Sequence, residues 1–417
     1  MSAVISNWEE NQTPLQTSSA AGQIAVTLLT GGGDKPYAIG IATALSAQGI
    51  FVDFIGSDDL DVPELRRLAS LNFLNLRGNQ RTDVSFFKKT GRVLLYYLRL
   101  IGYAMTARPR IFHVLWNNKF EFFDRTLLMA YYRLIGKRII FTAHNVNVRK
   151  RDSKDSYFNR LTLRIQYRLA DHIFVHTEKM RQELSAEFDV PVKKVTVIPF
   201  GINNTLPNTV LTTFEAKQRF GINLRQKTLL FFGNIAPYKG LEYLVAAFND
   251  LAKKDLDYRL IIAGRPKGCE EYWAMIQKEI ARNDLGAQII CQIDYIPDEL
   301  VEEYFKAADV LILPYTHIFQ SGVLFLAYSF GLPVIASDVG SLRETIVEGR
   351  TGYVCAASDS IDLAKAIETY FASELYVRLD ERRPHIRRIA NERHCWDKVG
   401  ELTRSVYASL VEGKIML

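Results

Sequence analysis

The clearest pattern of apolar and polar segments lies in the second half of the chain. Residues 310–313 form a short apolar run that a proline ends, which predicts a buried strand. A polar loop follows, and the apolar segment 323–330 is long enough for two helical turns before Gly331 ends it. A second apolar strand begins at Pro333. Strand, loop, helix and strand in this order predict a parallel α/β unit.

The same alternation opens both halves of the chain. Residues 24–29 and 51–56 are predicted strands on either side of a glycine-rich turn and a helix, and residues 228–233 begin a second series. A length of 417 residues suits two domains of ordinary size. Proline, glycine and a run of low helix and strand propensity follow Phe200, so we place the boundary there, with domains at 23–199 and 200–380.

The candidate chemistry lies in the polar loop, which ends in Gln320, Ser321 and Gly322. Ser321 and Gly322 fall at the predicted helix N-terminus, where unpaired N–H groups and the helix dipole favour an anion. Glycine also lets a phosphate approach the backbone closely. The alternative is an ordinary serine N-cap with a glycine beside it.

This stretch resembles the donor-binding motif of the retaining glycosyltransferases of family 4, which are GT-B enzymes that use nucleotide-sugars. The matching positions are Gly331, Pro333, Val334, Ile335, Ala336, Ser337 and Glu344. The version with Gln320, Ser321, Gly322 and Val323 resembles a subgroup whose members tend to make exopolysaccharides. The family's two motif glutamates are absent, since Ile318 and Leu326 stand in their places.

A second motif supports the same resemblance. It comprises Gly233, Lys239, Gly240, Leu244, Ala247 and Phe248. The resemblance implies that Lys239 binds the donor diphosphate as a point charge. Relatives usually carry an arginine in this loop, where this chain has Asn234 and Ala236. Because the donor diphosphate then lacks one cation, Arg265 and Lys267 are candidate replacements for the missing arginine.

Some of the remaining site predictions follow from the resemblance, whereas those for Gln320, Arg149 and Lys150 come from the residues themselves. His144 lies beside the donor sugar, where a neutral imidazole suits a hydroxyl, and Gln320 contacts the sugar in place of the missing glutamates. The backbone of Tyr295 and Ile296 reads the base, and Glu344 also binds the donor. The predicted acceptor contacts are Gly31, Gly32, Gly33, Arg149 and Lys150.

The resemblance implies a GT-B fold of class α/β, with two Rossmann-like domains facing across a cleft. Residues 381–417 are then C-terminal helices that pack back towards the first domain, anchored by Trp396. The glycine turn at Gly31 lacks G-x-G-x-x-G spacing, so no dinucleotide cofactor is predicted. No Asp-x-Asp pair appears in a metal-binding position, so we expect a metal-independent hexosyltransferase without cofactors.

The distribution of charge predicts an anionic partner. The net charge is +6, but residues 1–200 hold 27 Lys and Arg against 18 Asp and Glu. Residues 86–110 alternate aromatic and apolar side chains with Lys and Arg, as an interfacial helix on anionic lipid does. A packed helix with snorkelling arginines is the alternative. No nucleic-acid-binding module is recognisable, so we expect no nucleic acid partner.

Several features bear on localisation. The four cysteines lack CxxC spacing, which indicates a reducing compartment and no zinc site. No apolar run reaches the ~20 residues of a spanning helix. Residues 1–22 are polar without a signal-peptide core and are predicted to be a disordered tail. We expect a cytoplasmic protein, peripheral on the inner face of the plasma membrane.

Three function classes compete. The first is a glycosyltransferase that acts, with retention, on a lipid-linked or polysaccharide acceptor in exopolysaccharide or cell-surface glycan synthesis. The second is a catalytically silent nucleotide-sugar-binding protein, as the missing glutamates suggest. The third is another GT-B enzyme, such as a sugar phosphorylase or an epimerase.

Overall fold

The structure is a computed structural model that describes residues 24–80, 85–151, 155–202, 206–266 and 268–413. The predicted tail, residues 1–22, lies outside the described residues. The first domain has the strands β1 (Ala25–Leu29), β2 (Phe51–Gly56), β3 (Leu71–Asn75), β4 (Ile111–Val114), β5 (Arg138–Thr142), β6 (His172–Val175) and β7 (Val195–Val197). Its helices are α1 (Lys35–Ala47), α2 (Pro63–Arg66), α3 (Phe86–Thr106), α4 (Glu121–Phe123), α5 (Met129–Leu134), α6 (Val148–Arg151), α7 (Tyr157–Leu169) and α8 (Glu178–Phe188).

The second domain repeats this alternation. Its strands are β8 (Lys227–Phe232), β9 (Tyr258–Ala263), β10 (Ile289–Gln292), β11 (Val310–Leu313), β12 (Val334–Ser337) and β13 (Gly352–Cys355). The remaining helices are α9 (Thr213–Arg219), α10 (Leu241–Lys254), α11 (Glu270–Arg282), α12 (Asp298–Ala307), α13 (Gly322–Ser329), α14 (Leu342–Thr345), α15 (Ser360–Phe371), α16 (Glu374–Val377), α17 (Leu379–His394) and α18 (Trp396–Val411).

Both sheets are parallel. Within the described residues, the first has seven strands in the order β3-β2-β1-β4-β5-β6-β7 and the second has six in the order β10-β9-β8-β11-β12-β13. In each sheet the order reverses beside the domain's first strand, and ligands of such sheets bind outside the carboxyl ends of the strands at that point. The predicted fold class, two Rossmann-like domains facing across a cleft, is confirmed.

The central strands are buried on both faces because helices cover both faces. In β1, Leu28 enters one apolar cluster of the first domain and Leu29 enters the other. The first of these clusters also contains Val399 and Tyr407 of α18, so the C-terminal helix covers part of one face. Buried parallel strands read as continuous apolar runs for this reason.

Aromatic side chains join the two domains. Phe200, in the connection after β7, stacks on Phe325 of α13 with ring centroids 5.2 Å apart. Trp396, at the start of α18, donates its indole N–H to the carbonyl oxygen of Ile202 at 2.9 Å. Phe319, from the loop before α13, lies in an apolar cluster of the first domain. These contacts hold the loop that carries Gln320 against the first domain.

Candidate active site

A cavity of about 540 Å³ lies between the two domains at the carboxyl ends of their strands. Side chains of both domains line it. The first domain contributes Asp34 and Tyr37, and the second contributes Asn234, Tyr238, Lys239, Tyr295, Ile296, Gln320, Ser321 and Gly322. Five of the predicted donor-site residues therefore share one cavity with Gln320.

The N-terminus of α13 opens into this cavity. Ser321 is the N-cap residue, and among the described residues its side chain caps no helix N–H group. Its buried hydroxyl lies 3.5 Å from the hydroxyl of Tyr315. A methyl group added to Gly322 would meet no atom within 4 Å, so space remains beside the first turn. The unpaired N–H groups and the helix dipole favour an anion there.

Lys239 brings a cation to the same wall. It ends the short helical turn Pro237–Lys239 after β8 and is only 6% exposed. Its Nζ atom lies 5.6 Å from the ring centroid of Tyr315. A methyl group on Gly233 would lie 3.0 Å from this Nζ, and Gly233 has a φ of +98°, so only glycine fits there without strain.

Arg265 lies next to the cavity but is not part of its lining. It follows β9, is exposed, and places its guanidinium carbon 5.7 Å from the ring centroid of Tyr295. Tyr295 and the buried Ile296 line the cavity just before α12. Lys267, the other candidate replacement cation, lies outside the described residues.

The two residues that replace the family's motif glutamates lie at the cavity. Ile318 and Leu326 both line it, so its wall is apolar where carboxylates were expected from the resemblance. Gln320 lies between them, and its amide Oε1 is buried without a hydrogen-bond partner among the described residues. A buried amide oxygen without a partner is costly, and a ligand hydroxyl can satisfy it.

His144 lies behind the cavity wall, after β5. Its ring stacks on Trp116 at 4.1 Å, and the ring of Tyr37, which lines the cavity, packs edge-on against it at 4.6 Å. Its Nδ1 lies 3.0 Å from Nε2 of His176, whose own Nδ1 lies 3.3 Å from the carbonyl oxygen of Ile198.

These contacts fix the tautomer of His144. Burial lowers the pKa of His144 well below its usual range and the pKa of His176 to about 4, so both rings are neutral near pH 7. The carbonyl of Ile198 can only accept, so Nδ1 of His176 donates and its Nε2 accepts from Nδ1 of His144. Nε2 of His144 then keeps its lone pair, and this buried atom has no partner among the described residues.

The glycine turn is packed against protein atoms. A methyl group would lie 2.1 Å from the carbonyl oxygen of Trp116 on Gly31 and 2.0 Å from the Trp116 ring on Gly33. On Gly32 it would lie 2.5 Å from Nη2 of Arg77. These positions therefore have a packing reason to be glycine.

The other predicted contacts lie outside the cavity lining. Arg149 is exposed and pairs with Glu121, Nη2 to Oε2, at 2.9 Å. The side chain of Lys150 lies outside the described residues. Glu344 is exposed on α14. Their roles stay predictions, as do those of the glycine turn.

Sequence reasoning missed Asp34, Tyr37, Trp116 and His176. Asp34 caps α1 by accepting from the N–H of Tyr37 at 2.8 Å, and both residues line the cavity. Trp116 follows β4, and His176 follows β6. Their positions after predicted strands could have identified them, because side chains that follow parallel strands meet at one edge of the sheet.

Comparison with protein-family models matches both halves of the chain. Residues 212–392 match the model described as glycosyl transferases group 1. Residues 31–206 match the model described as glycosyltransferase family 4.

Curated proteins named D-inositol 3-phosphate glycosyltransferase are among the relatives. The protein of Corynebacterium diphtheriae is 29% identical over 55% of this chain, and the match spans 56% of that protein's length. The protein of Corynebacterium glutamicum is 26% identical over 84% of this chain and 86% of its own.

Solved structures share the fold. Sucrose-phosphate synthase from Thermosynechococcus elongatus matches with a TM-score of 0.74 at 19% identity, over 94% of this chain and all of that chain. Anabaena HepE in complex with UDP and glucose matches with a TM-score of 0.70 at 16% identity, over 93% of this chain and all of that chain.

Proposed function

The chain belongs to the group 1 and family 4 glycosyltransferases, and from that premise we propose that it transfers a sugar from a nucleotide-sugar donor to an acceptor. One observation carries the donor site. Nζ of Lys239 and the N-terminus of α13 meet on one wall of the interdomain cavity, where both favour the charge of a diphosphate.

The same two groups serve the chemical step. When the bond to the sugar breaks, negative charge develops on the departing diphosphate, and a fixed cation with oriented N–H groups stabilises that charge. The resemblance implies front-face attack with retention. The leaving phosphate then helps to remove the proton of the acceptor hydroxyl. Closure of the two domains excludes water from the cavity.

Gln320 and His144 are proposed to hold the sugar. The buried Oε1 of Gln320 accepts a hydrogen bond from a sugar hydroxyl. Nε2 of His144 accepts another, with its lone pair kept free by the contact to His176. Arg265 supplies a second cation beside Tyr295, whose backbone is proposed to read the base with that of Ile296. Glu344, which is exposed in this structure, is proposed to contact the donor when the two domains close.

The donor site is tested by the melting temperature of the protein with UDP, GDP, dTDP and ADP. A ligand at about 100 times its Kd stabilises the native state by about 2.7 kcal/mol. We expect one nucleotide to stabilise the protein selectively, and UDP is the first to test because HepE was solved with UDP and with UDP-glucose. Absence of a shift with all four at millimolar concentration would contradict the donor site.

A specific observation favours one alternative, a catalytically silent nucleotide-sugar-binding protein. Ile318 and Leu326 give the cavity an apolar wall where the resembled family has glutamates. Release of nucleoside diphosphate from the sugar nucleotide separates the two proposals. Selective binding without any release, in the presence of candidate acceptors, would favour the silent protein.

We further propose a lipid-linked or glycan acceptor at an anionic membrane surface, in exopolysaccharide or cell-surface glycan synthesis. The name of the curated relatives, D-inositol 3-phosphate glycosyltransferase, contains a phosphorylated compound. None of the helices in the described ranges has the length and apolar content that crossing a bilayer requires. Helix α3 supports a surface contact, because Phe87 and Leu98 are exposed beside the cationic Lys88 and Arg99.

Replacing Phe87 and Leu98 together by serine is expected to weaken membrane binding about tenfold, because both apolar side chains, 85% and 68% exposed, no longer enter the lipid. The measurement is cosedimentation with phosphatidylcholine vesicles that contain phosphatidylglycerol. The matched control is Leu256→Ser with Val377→Ser, at 76% and 75% exposed positions of the second domain. Equal binding by both double variants would contradict the contact through α3.

A further inference from the structure

A second cavity, of about 510 Å³, lies in the first domain at the carboxyl ends of β3 and β4, beside the first half of α3. We call it the Arg77 pocket. Arg77, Lys89, Arg92 and Lys119 line it, and none of its described lining residues is acidic. Four cations around one cavity raise the local concentration of an anion.

Arg77 provides the strongest indication of a ligand. Its guanidinium lies 5.4 Å from the ring centroid of Tyr96, and its Nη1 is buried without a hydrogen-bond partner among the described residues. Leaving a buried guanidinium N–H unpaired costs free energy, and a phosphate oxygen placed there satisfies it with a charge-assisted bond. Arg92 is partly engaged already, since its Nη1 donates to the carbonyl of Asn79 at 2.8 Å.

The walls of the Arg77 pocket are aromatic and held in place. Tyr97 stacks on Phe120 with an angle of 11° between the rings and donates its hydroxyl to Asp124 Oδ1 at 2.9 Å. Tyr96 donates its hydroxyl to Asn118 Oδ1 at 2.7 Å. Because these hydroxyls are already bonded, the rings are fixed and offer apolar surface to whatever carries the anion.

The glycine turn separates this pocket from the interdomain cavity. Gly32 is in close contact with the guanidinium of Arg77, and Asp34, two residues later, lines the interdomain cavity. The Arg77 pocket and the interdomain cavity therefore lie on either side of one short turn.

We propose that the Arg77 pocket binds the phosphate or diphosphate group of the acceptor, an inference that rests on the proposed function. Arg77 and Lys119 hold the anion, and Tyr96, Tyr97 and Phe120 contact the apolar or ring part joined to it. This assigns the acceptor anion to Arg77 and Lys119 instead of Arg149, whose guanidinium is paired with Glu121.

The test is calorimetric titration of inorganic pyrophosphate into the full chain saturated with UDP, which keeps pyrophosphate out of the donor site. Arg77→Gln and Lys119→Gln are each expected to weaken pyrophosphate binding about tenfold or more. Lys119 is exposed, so its variant keeps the test valid if Arg77→Gln disturbs the fold. The matched control is Arg66→Gln, an exposed arginine paired with Asp61 in the same domain, which leaves binding unchanged.

Two further probes identify the source of the phosphate. Tighter binding of farnesyl diphosphate than of pyrophosphate supports a lipid-linked acceptor, and tighter binding of glucose 6-phosphate supports a soluble one. The proposal would be overturned if Arg149→Gln weakened binding while the variants of Arg77 and Lys119 left it unchanged. It would also be overturned if pyrophosphate did not bind at all.

The two proposals fail separately. If UDP raises the melting temperature but pyrophosphate binding does not depend on Arg77 or Lys119, the Arg77 pocket is overturned and the donor site stands. If no nucleotide shifts the melting temperature, the same titration is run without UDP. Pyrophosphate binding that the variants of Arg77 and Lys119 weaken then supports the pocket, while the missing shift contradicts the donor site.

Discussion

Replacing Lys239 by methionine is expected to lower the rate of sugar transfer about 100- to 1,000-fold. Methionine keeps the length and the packing of the side chain but removes the cation. Removal of one group that stabilises developing charge in a water-excluded site typically has an effect of this size. Lys239 is 6% exposed and lines the interdomain cavity beside the N-terminus of α13, so solvent screening of its charge is weak.

The measurement is the rate of nucleoside diphosphate release from the donor that the nucleotide titration identifies, together with the affinity for the free diphosphate. Lys254→Met is the matched control, because Lys254 is exposed on α10 and pairs with Glu368. Melting temperatures report whether each variant is folded. A folded Lys239→Met protein with a rate and affinity within about threefold of the wild type would contradict the role of this cation.

Mild acid is expected to remove much of the protein's stability. Burial lowers the pKa of His172, His176 and His394 to about 4 and that of His113 to about 3, and it lowers the pKa of His144 well below its usual range. In the unfolded chain these groups titrate near pH 6.5. Between about pH 6.5 and 4 the unfolded state therefore binds more protons, and stability falls as the pH is lowered.

The expected loss is large because the effects add up. Each pKa unit corresponds to about 1.4 kcal/mol, and typical domains are stable by only about 5–15 kcal/mol. Asp124 opposes the trend, since burial raises its pKa to about 6 and its protonation stabilises the fold as the pH falls towards 4. Burial also raises the pKa of Asp34 and of Asp309, so these carboxyls together offset part of the loss from the histidines.

The measurement is the melting temperature from pH 7.5 to pH 4.5, compared between the wild type and two variants. His172→Asn removes one of the shifted groups and should flatten the pH dependence, because asparagine does not titrate. His385→Asn removes a half-buried histidine whose pKa is lowered by burial and by the nearby Arg388 and Arg350, so it should flatten the pH dependence as well. A melting temperature that stays constant from pH 6.5 to pH 4.5 would show that the buried histidines do not control acid stability.

Much of the fold was determined locally. The strands of the central unit were predicted at residues 310–313 and 333–337, and the structure has them at Val310–Leu313 and Val334–Ser337. The predicted helix 323–330 lies at Gly322–Ser329, with Ser321 as its N-cap. Apolar runs, glycine and proline decide such elements within a few residues, and no distant contact has to be known.

The site was predictable where one segment carries it. Lys239 and Gly233 belong to one turn after β8, and Ser321 and Gly322 belong to one turn after β11. β8 and β11 are neighbours in the sheet, so the parallel topology alone brings these two turns together. The family motifs therefore identified most of the cavity wall of the second domain.

The tertiary structure decided what depends on residues far apart along the chain. The packing of Gly31 against Trp116, the pairing of Arg149 with Glu121 and the hydrogen bond between His144 and His176 each join segments that only the strand order brings together. No local pattern encodes which side chain fills the space beside a glycine or neutralises a cation. The sequence by itself thus determined the elements, the fold class and much of the interdomain cavity wall that the second domain contributes. The tertiary structure decided the tautomer of His144 and the Arg77 pocket, because both depend on side chains that meet only across the folded sheet.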